Sequence, residues 1–168
     1  MHELDYNHQL IQKTMAPDKP PCTHSLRLSA PVKPLSLPES YVVVHPGMAG
    51  SALNWPLEHY QNLILSLSRR TPVIITGTAI DRSVLNPLRE NLSHIKNILW
   101  KNESLSSDEL LITLKKAEAV FAPSTGVIHL AASLGTPTYG IYSPVVVQRV
   151  ERWGPRGPKT KTWTPQVP

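Results

Sequence analysis

The sequence predicts an α/β fold, a parallel sheet with helices on both faces. Three observations carry that reading. Short β-branched runs alternate with helical patterns, about four times over. The connections between them are a few residues long, as in repeated strand–helix–strand units. The two strongest runs, "YVVVH" and "PVIIT", each end at Pro-Gly or Gly, which is where buried strands stop. At 168 residues the chain is long enough for one domain with a real core and short for two. Its 40% apolar content places it with folded soluble domains and not with disordered chains.

The chain opens with "MHELDYNHQLIQK", polar and acid-bearing, which is not the pattern of a signal peptide. Pro17, Pro20, Pro21, Pro31, Pro34 and Pro38 follow without any sustained period, so residues 16–38 read as an extended linker. Strands are expected at 41–45 and 72–76, and weaker ones at "NILW" (97–100), "AVFA" (119–122) and "TYGIY" (138–142). Between them, "PLEHYQNLILSLSRR" puts Leu57, Tyr60, Leu63, Ile64 and Leu67 on one helical face. Pro56 stands at its first turn and Arg69–Arg70 at its dipole-negative end. "SSDELLITLKKAE" opens with a capping box, Ser106 and Glu109. "DRSVLNPLRENL" has a helical pattern that Pro87 is expected to break or kink. The C-terminal "RWGPRGPKTKTWTPQVP" is rich in Pro and Gly and shows no closing helix. The organisation expected is therefore a leading segment and linker (1–40), a compact domain (41–145) and a Pro/Gly-rich basic tail (146–168).

One cysteine, Cys22, excludes an internal disulfide and a CxxC metal site and fits a reducing compartment. The remaining histidines have no metal-ligand spacing, so no metal is expected. No window approaches the roughly 18 apolar residues of a membrane span. The formal charge of +5 points to anionic partners. The basic residues are scattered, except for Arg149, Arg152, Arg156, Lys159 and Lys161, and no Arg/Lys run carries interleaved aromatics. Nucleic acid is thus not an expected partner.

In parallel sheets of this kind ligands bind beyond the carboxyl ends of the strands. After the first strand, "HPGMAGSALNWP" offers Gly47, Gly50 and Ser51, with Trp55 as a packing residue. After the second, "TGTAID" offers Thr76, Gly77 and Thr78. Asp81 there caps the next helix or, alternatively, meets a ribose hydroxyl. The fourth, "APSTGVIHLAASLGTP", is the most informative. Ser124 reads as an N-cap, with Thr125 and Gly126 as the first helical residues. First-turn amides lack partners inside their helix and the dipole is positive there, so the end is an anion seat. Gly126 lets a phosphate approach, and His129, one turn on, leans back toward it. Gly135 and Pro137 then end the helix.

The segments "VVVHPGMAGSALNWPLEHY", "PVIITGTAID", "SLSSDELLITLKKAEAVFAPSTGVIHLAASLGTPTYGIYSP" and "RWGP", in that order, resemble the C-terminal half of glycosyltransferase family 9. These are the ADP-heptose:lipopolysaccharide heptosyltransferases and their relatives, and the likeness runs from about residue 40 to about 157. The resemblance implies the C-terminal half of a GT-B fold, a Rossmann-like domain that holds a nucleotide-sugar donor. It further implies an inverting, metal-independent transfer with no cofactor beyond the donor, ADP-heptose or a related nucleotide sugar.

Carried over, Ser124, Thr125, Gly126 and His129 would bind the donor diphosphate, and Gly47 with Ser51 would line the same site. Thr76, Gly77, Asp81, Ser104 and Leu105 would lie near the nucleoside. The acceptor, a glycan or glycolipid, and the acidic catalytic base belong to an N-terminal domain with no counterpart here. "HELDYN" and the Pro-rich stretch resemble that domain's end and the interdomain linker, so the chain reads as a piece of a larger enzyme with no catalytic residue to name. A cytoplasmic location is implied, with peripheral contact to the inner membrane left open. Ser124 stands where many members carry Asp, and Leu53 where many carry Lys or Arg. A non-catalytic nucleotide-binding or regulatory module is the alternative; against an NAD domain, no GxGxxG follows the first strand and no acid ends the second.

Overall fold

The computed structural model describes residues 1–15 and 27–166. Cys22 and three of the linker prolines, Pro17, Pro20 and Pro21, lie outside the described residues. The chain folds as an α/β, Rossmann-like domain around one six-stranded sheet, every pairing parallel, in the order β3-β2-β1-β4-β5-β6. The strands are β1 (Val42–Val44), β2 (Val73–Ile75), β3 (Ile98–Trp100), β4 (Ala119–Pro123), β5 (Thr138–Ile141) and β6 (Thr160–Trp163). Five of them stand where the sequence reading puts strands. The sixth lies in the Pro/Gly-rich tail, for which no strand was expected. "TKTW" is short and two of its four residues are Thr, but pairing of Thr138 with Thr160 and Ile141 with Trp163 fixes it as an edge.

The helices are α1 (Glu3–Met15), α2 (Leu57–Ser68), α3 (Arg82–Leu92), α4 (Ser107–Lys116), α5 (Gly126–Ser133) and α6 (Val150–Trp153). Alternation along each strand sorts the core into two layers. Val42, Val44, Val73 and Ile75 pack against Tyr60 and Ile64 of α2 and Leu85, Leu88 and Leu92 of α3. Val43, Ile74 and Val120 face the other way, onto Leu114 of α4 and Val127, Ala131 and Leu134 of α5. Helices therefore cover both faces, as expected.

Local chemistry sets the helix ends. The amide of Glu109 donates to Ser106 Oγ, and the Ser106 amide and hydroxyl donate to the Glu109 carboxylate, so the capping box forms as read. Gly135, at φ +77°, ends α5 in the left-handed conformation that suits glycine. Lys115 Nζ donates to the helix-end carbonyl of Leu134 at 2.7 Å. Of the break or kink expected at Pro87, the break does not occur: α3 runs through the proline. Its missing N–H and ring clash cost about 3 kcal/mol. Leu85, Leu88 and Leu92 are each buried to within 1%, and at about 2 kcal/mol apiece their burial outweighs that cost.

Candidate functional site

The chain runs outward from β1 through β2 to β3, then crosses back to β4 on the other side of β1 and runs outward the opposite way, so the switch point lies between β1 and β4. The loops beyond those two strands carry "HPGMAGS" and "PSTG". The start of α5 is displaced by one residue from its expected place. Thr125, not Ser124, is the N-cap (φ −142°, ψ 163°), and Gly126 is the first helical residue. No side chain caps the first turn, and the Ile128 amide turns back onto the Thr125 carbonyl at 3.2 Å, so the Gly126 and Val127 amides ahead of it are the open donors of a free helix end. A Cβ at Gly126 would meet nothing within 4 Å. Packing therefore does not demand glycine there, and the space beside it is not filled by protein.

Two clefts meet at this helix end and share Thr125 and Gly126. The first, about 440 Å³, is bounded by Ser51 and Ala52 from the β1 loop and by Ser124 and His129. Val147, Gln148 and Trp153 close it from the segment after β5. The second, about 270 Å³, runs along the ends of β1–β3. It is lined by His45, Thr76, Gly77, Thr78 and Asp81, by Lys101, and by the apolar Met48, Leu105, Leu110 and Leu130.

Asp81 organises the second cleft. It is 5% exposed, and it stands at the N-cap position of α3 without capping it. Its Oδ2 instead accepts from the amide and hydroxyl of Thr78, at 3.0 and 2.7 Å, and its Oδ1 accepts from the amide of Ala49 at 3.1 Å. Burial would raise its pKa; the hydrogen bonds from Thr78 and Ala49 prevail and the net shift is downward. The carboxylate thus pins the β1 loop to the β2 loop. Gly47 is glycine for that reason, since a Cβ there would lie 2.1 Å from the Asp81 carboxyl carbon. Beside them, His45 Nδ1 lies 2.9 Å from Thr76 Oγ1. Burial depresses the His45 pKa to about 4, partly offset by Asp81, so the ring is neutral near pH 7.

At the first cleft, Ser51 Oγ donates to the carbonyl of Ser124 at 3.4 Å, joining the two loops. The buried phenol of Tyr142 donates to the carbonyl of Trp153 at 2.9 Å. His129 lines the cleft one turn inside α5, with its pKa lowered by burial and by nearby His2.

The structure thus gathers Thr76, Gly77, Asp81 and Leu105 at one cleft and Ser51, Ser124 and His129 at the other, with Thr125 and Gly126 common to both. Gly47 and Ser104 line neither: Gly47 is buried under Asp81 and Ser104 is exposed on its loop. Leu53 also lines neither and is 62% exposed. Trp55 packs as expected, stacked on His59 and edge-on to Tyr60. Sequence reasoning missed His45, Lys101, Gln148 and Trp153. For the first two the signal was present, since both directly follow a strand; for Trp153 it was the "RWGP" segment.

The profile of glycosyltransferase family 9 (heptosyltransferase) matches residues 2–164. A Haemophilus influenzae protein described as a glycosyltransferase is 28% identical over 124 residues, covering 72% of this chain and 35% of its own. Among solved structures, E. coli ADP-heptose LPS heptosyltransferase II superposes with a TM-score of 0.67 at 23% identity, over 77% of this chain and 39% of that one. E. coli heptosyltransferase WaaC with ADP gives 0.70 at 19% identity, over 98% of this chain and 50% of that one. WaaC is also solved with ADP-2-deoxy-2-fluoro heptose, at TM-score 0.65 and 19% identity, over 97% of this chain and 49% of that one. The chain spans half or less of the length of these relatives.

Proposed function

The chain belongs to glycosyltransferase family 9, the heptosyltransferase family, and from that premise we propose that it binds the nucleotide-sugar donor of a glycosyl transfer. The observation that carries this reading is the uncapped start of α5, with its open space at Gly126, standing as the common wall of two clefts. The diphosphate sits on the first-turn amides, where unsatisfied donors and the helix dipole favour an anion. The nucleoside takes the second cleft, whose Leu105, Leu110 and Leu130 suit a base and whose Thr78 and Lys101 offer donors. That solved relatives hold ADP or an ADP-heptose analogue supports the same class of ligand.

In the transfer, negative charge develops on the departing nucleoside diphosphate. The amides of α5, already in place and needing no reorganisation, stabilise it there, and His129 supplies a hydrogen bond or, once protonated, a charge. Among the described residues Asp81 is the one acid lining either cleft, and both its oxygens are already engaged. The base that activates the acceptor is therefore assigned to a partner domain, which would also hold the glycan or glycolipid acceptor. Inverting, metal-independent transfer to a lipopolysaccharide-type acceptor at the cytoplasmic side of a membrane follows from the family reading. Among the described residues no helix is long and apolar enough to cross a membrane. The same engaged Asp81 favours a second reading, a nucleotide-binding module that performs no transfer. Supplying an acceptor domain in trans separates the two, since only the first predicts turnover.

The direct test is calorimetric titration of the chain with ADP, UDP and GDP beside His129→Ala. One nucleotide should bind, and the variant should bind it roughly tenfold more weakly with its melting temperature unchanged. A bound diphosphate raises the pKa of His129, so the wild-type advantage over the variant should grow as pH falls through the histidine range. Equal affinity at every pH would remove His129 from the site.

A further inference from the structure

We propose that a second copy of this chain covers an open face of the sheet, with α1 of one copy laid across β4, β5 and β6 of the next. A parallel sheet is ordinarily buried on both faces. β1 and β2 meet that rule, with every residue buried. The other half of the sheet does not. In β4 and β5, Val120, Ala122, Thr138 and Gly140 are buried on the α5 side, whereas Ala119, Phe121, Tyr139 and Ile141 are only half-buried. Ala119, Phe121 and Ile141 turn toward the α2 and α3 layer and sit at its margin. Phe121 stacks on Tyr139 at 4.8 Å and Tyr139 on Trp163 at 5.6 Å, so three rings pave this face. Trp163, at its edge, is 52% exposed. Trp55, Pro56 and His59 at the start of α2 wall one side, over a groove of about 320 Å³ that reaches Ile141 and Pro165. Three strands span about 10 Å, the width of one helix.

The helix that fits this slot is in the chain itself, because α1 turns its polar side inward. Asp5, bonded to Arg156, and the half-buried His8 and Gln12 share one face at helical spacing. Glu3 and His2 add bonds to Arg152 and to the carbonyl of Gly154. Leu4, Tyr6, Leu10 and Ile11 lie off that face and are 45–54% exposed. That reverses the usual surface helix, whose apolar stripe faces its own core. No Asp, Glu, Lys or Arg stands between Tyr6 and Gln12, so laying these turns on the rings buries no charge. With 13 residues, α1 is about 20 Å long and can cross all three strands. Lys161, the register partner of Tyr139, is exposed, so its ammonium can stay in water beside the contact. An anionic bilayer suits α1 less well. Helices that lie on membranes carry Lys and Arg on the polar side, and here that side holds Glu3 and Asp5.

Helix and slot are different surfaces, so the contact is heterologous: it closes as a reciprocal pair or runs on from copy to copy. Sedimentation velocity of the 168-residue chain should show self-association that grows between about 1 and 300 µM, the range of a small interface. Leu10→Glu on the helix and Trp163→Glu on the slot should each weaken it roughly tenfold or more, with circular dichroism unchanged. An equimolar mixture of the two variants should recover a one-to-one pair, since an intact helix then meets an intact slot. A wild type that stays monomeric throughout would overturn the proposal and leave the face to a partner of different sequence. Association that survives either variant would overturn it too, because like surfaces would then be meeting. So would a mixture that stays monomeric. Leu10→Glu changes only an exposed side chain, so it still decides the matter if Trp163→Glu disturbs β6.

Discussion

Gly126 and Gly47 stand at the mouth of the same site, yet they are glycine for opposite reasons. At Gly47 a side chain would collide with the Asp81 carboxylate; at Gly126 it would meet no protein atom. Gly126→Ala should therefore keep the fold, with stability unchanged or raised by up to about 1 kcal/mol from the better helix former. It should also weaken nucleotide binding, a pairing readable from a melt and a titration of one sample. Gly47→Ala should instead unseat Asp81 and lower the urea midpoint. His45 gives the chain a pH dependence. Its folded pKa of about 4 lies below the ordinary 6.5, so the unfolded chain takes up the proton first as pH falls. The stability is fully present above about pH 6.5 and is lost as pH falls toward 4, on the order of 3 kcal/mol. His45→Asn, which keeps a donor for Thr76, should flatten urea midpoints between pH 7 and 4.5. The anion seat was legible in "STG" and His129 because helix-end chemistry is local. The Gly47–Asp81 contact was not, because its partners are 34 residues apart in sequence and meet only when β1 and β2 pair.

At the scale of elements, periodicity located all five strands from β1 to β5 and the helices α2 and α4, the latter with its capping box. It found the helical pattern of α3 but not that the helix would run unbroken through Pro87, where a local signal against helix met a stronger tertiary one. Replacing Pro87 by Ala should raise global stability by about 1–3 kcal/mol in urea denaturation, since the helix is already formed around the proline. Emptying the layer beneath should act in the other direction. Ile64, fully buried between α2 and the sheet, should cost about 2–5 kcal/mol as Ile64→Ala. The edge strand β6 was missed because a four-residue "TKTW" has no period long enough to read. Its backbone pairs with β5, while Trp163 stacks on Tyr139, whose ring stacks in turn on Phe121.

Across the whole molecule, the first helix ties the two ends of the chain together. Glu3 pairs with Arg152 at 2.7 Å, Asp5 with Arg156 at 2.5 Å, and His2 reaches the carbonyl of Gly154. These bonds hold α1 against the segment that carries Trp153, while Leu4, Tyr6, Leu10 and Ile11 of α1 remain exposed. Exposed pairs contribute only about 0.2–1 kcal/mol each. The double change Glu3→Gln and Asp5→Asn should therefore speed amide exchange in α1 and leave the sheet protected, and added salt should narrow the difference. Taken by itself, the sequence determined the alternation of strands and helices, the capped ends, the family likeness and the helix end suited to an anion. Each of these is written in residues within a few positions of one another. Only the tertiary structure decided the strand order, the clamp of Asp81 on the β1 loop, and the division of the site into two clefts. Those depend on contacts such as Leu53 with Gln148, 95 positions apart, which no local period encodes and which exist only once the parallel sheet has brought its strand ends to one edge.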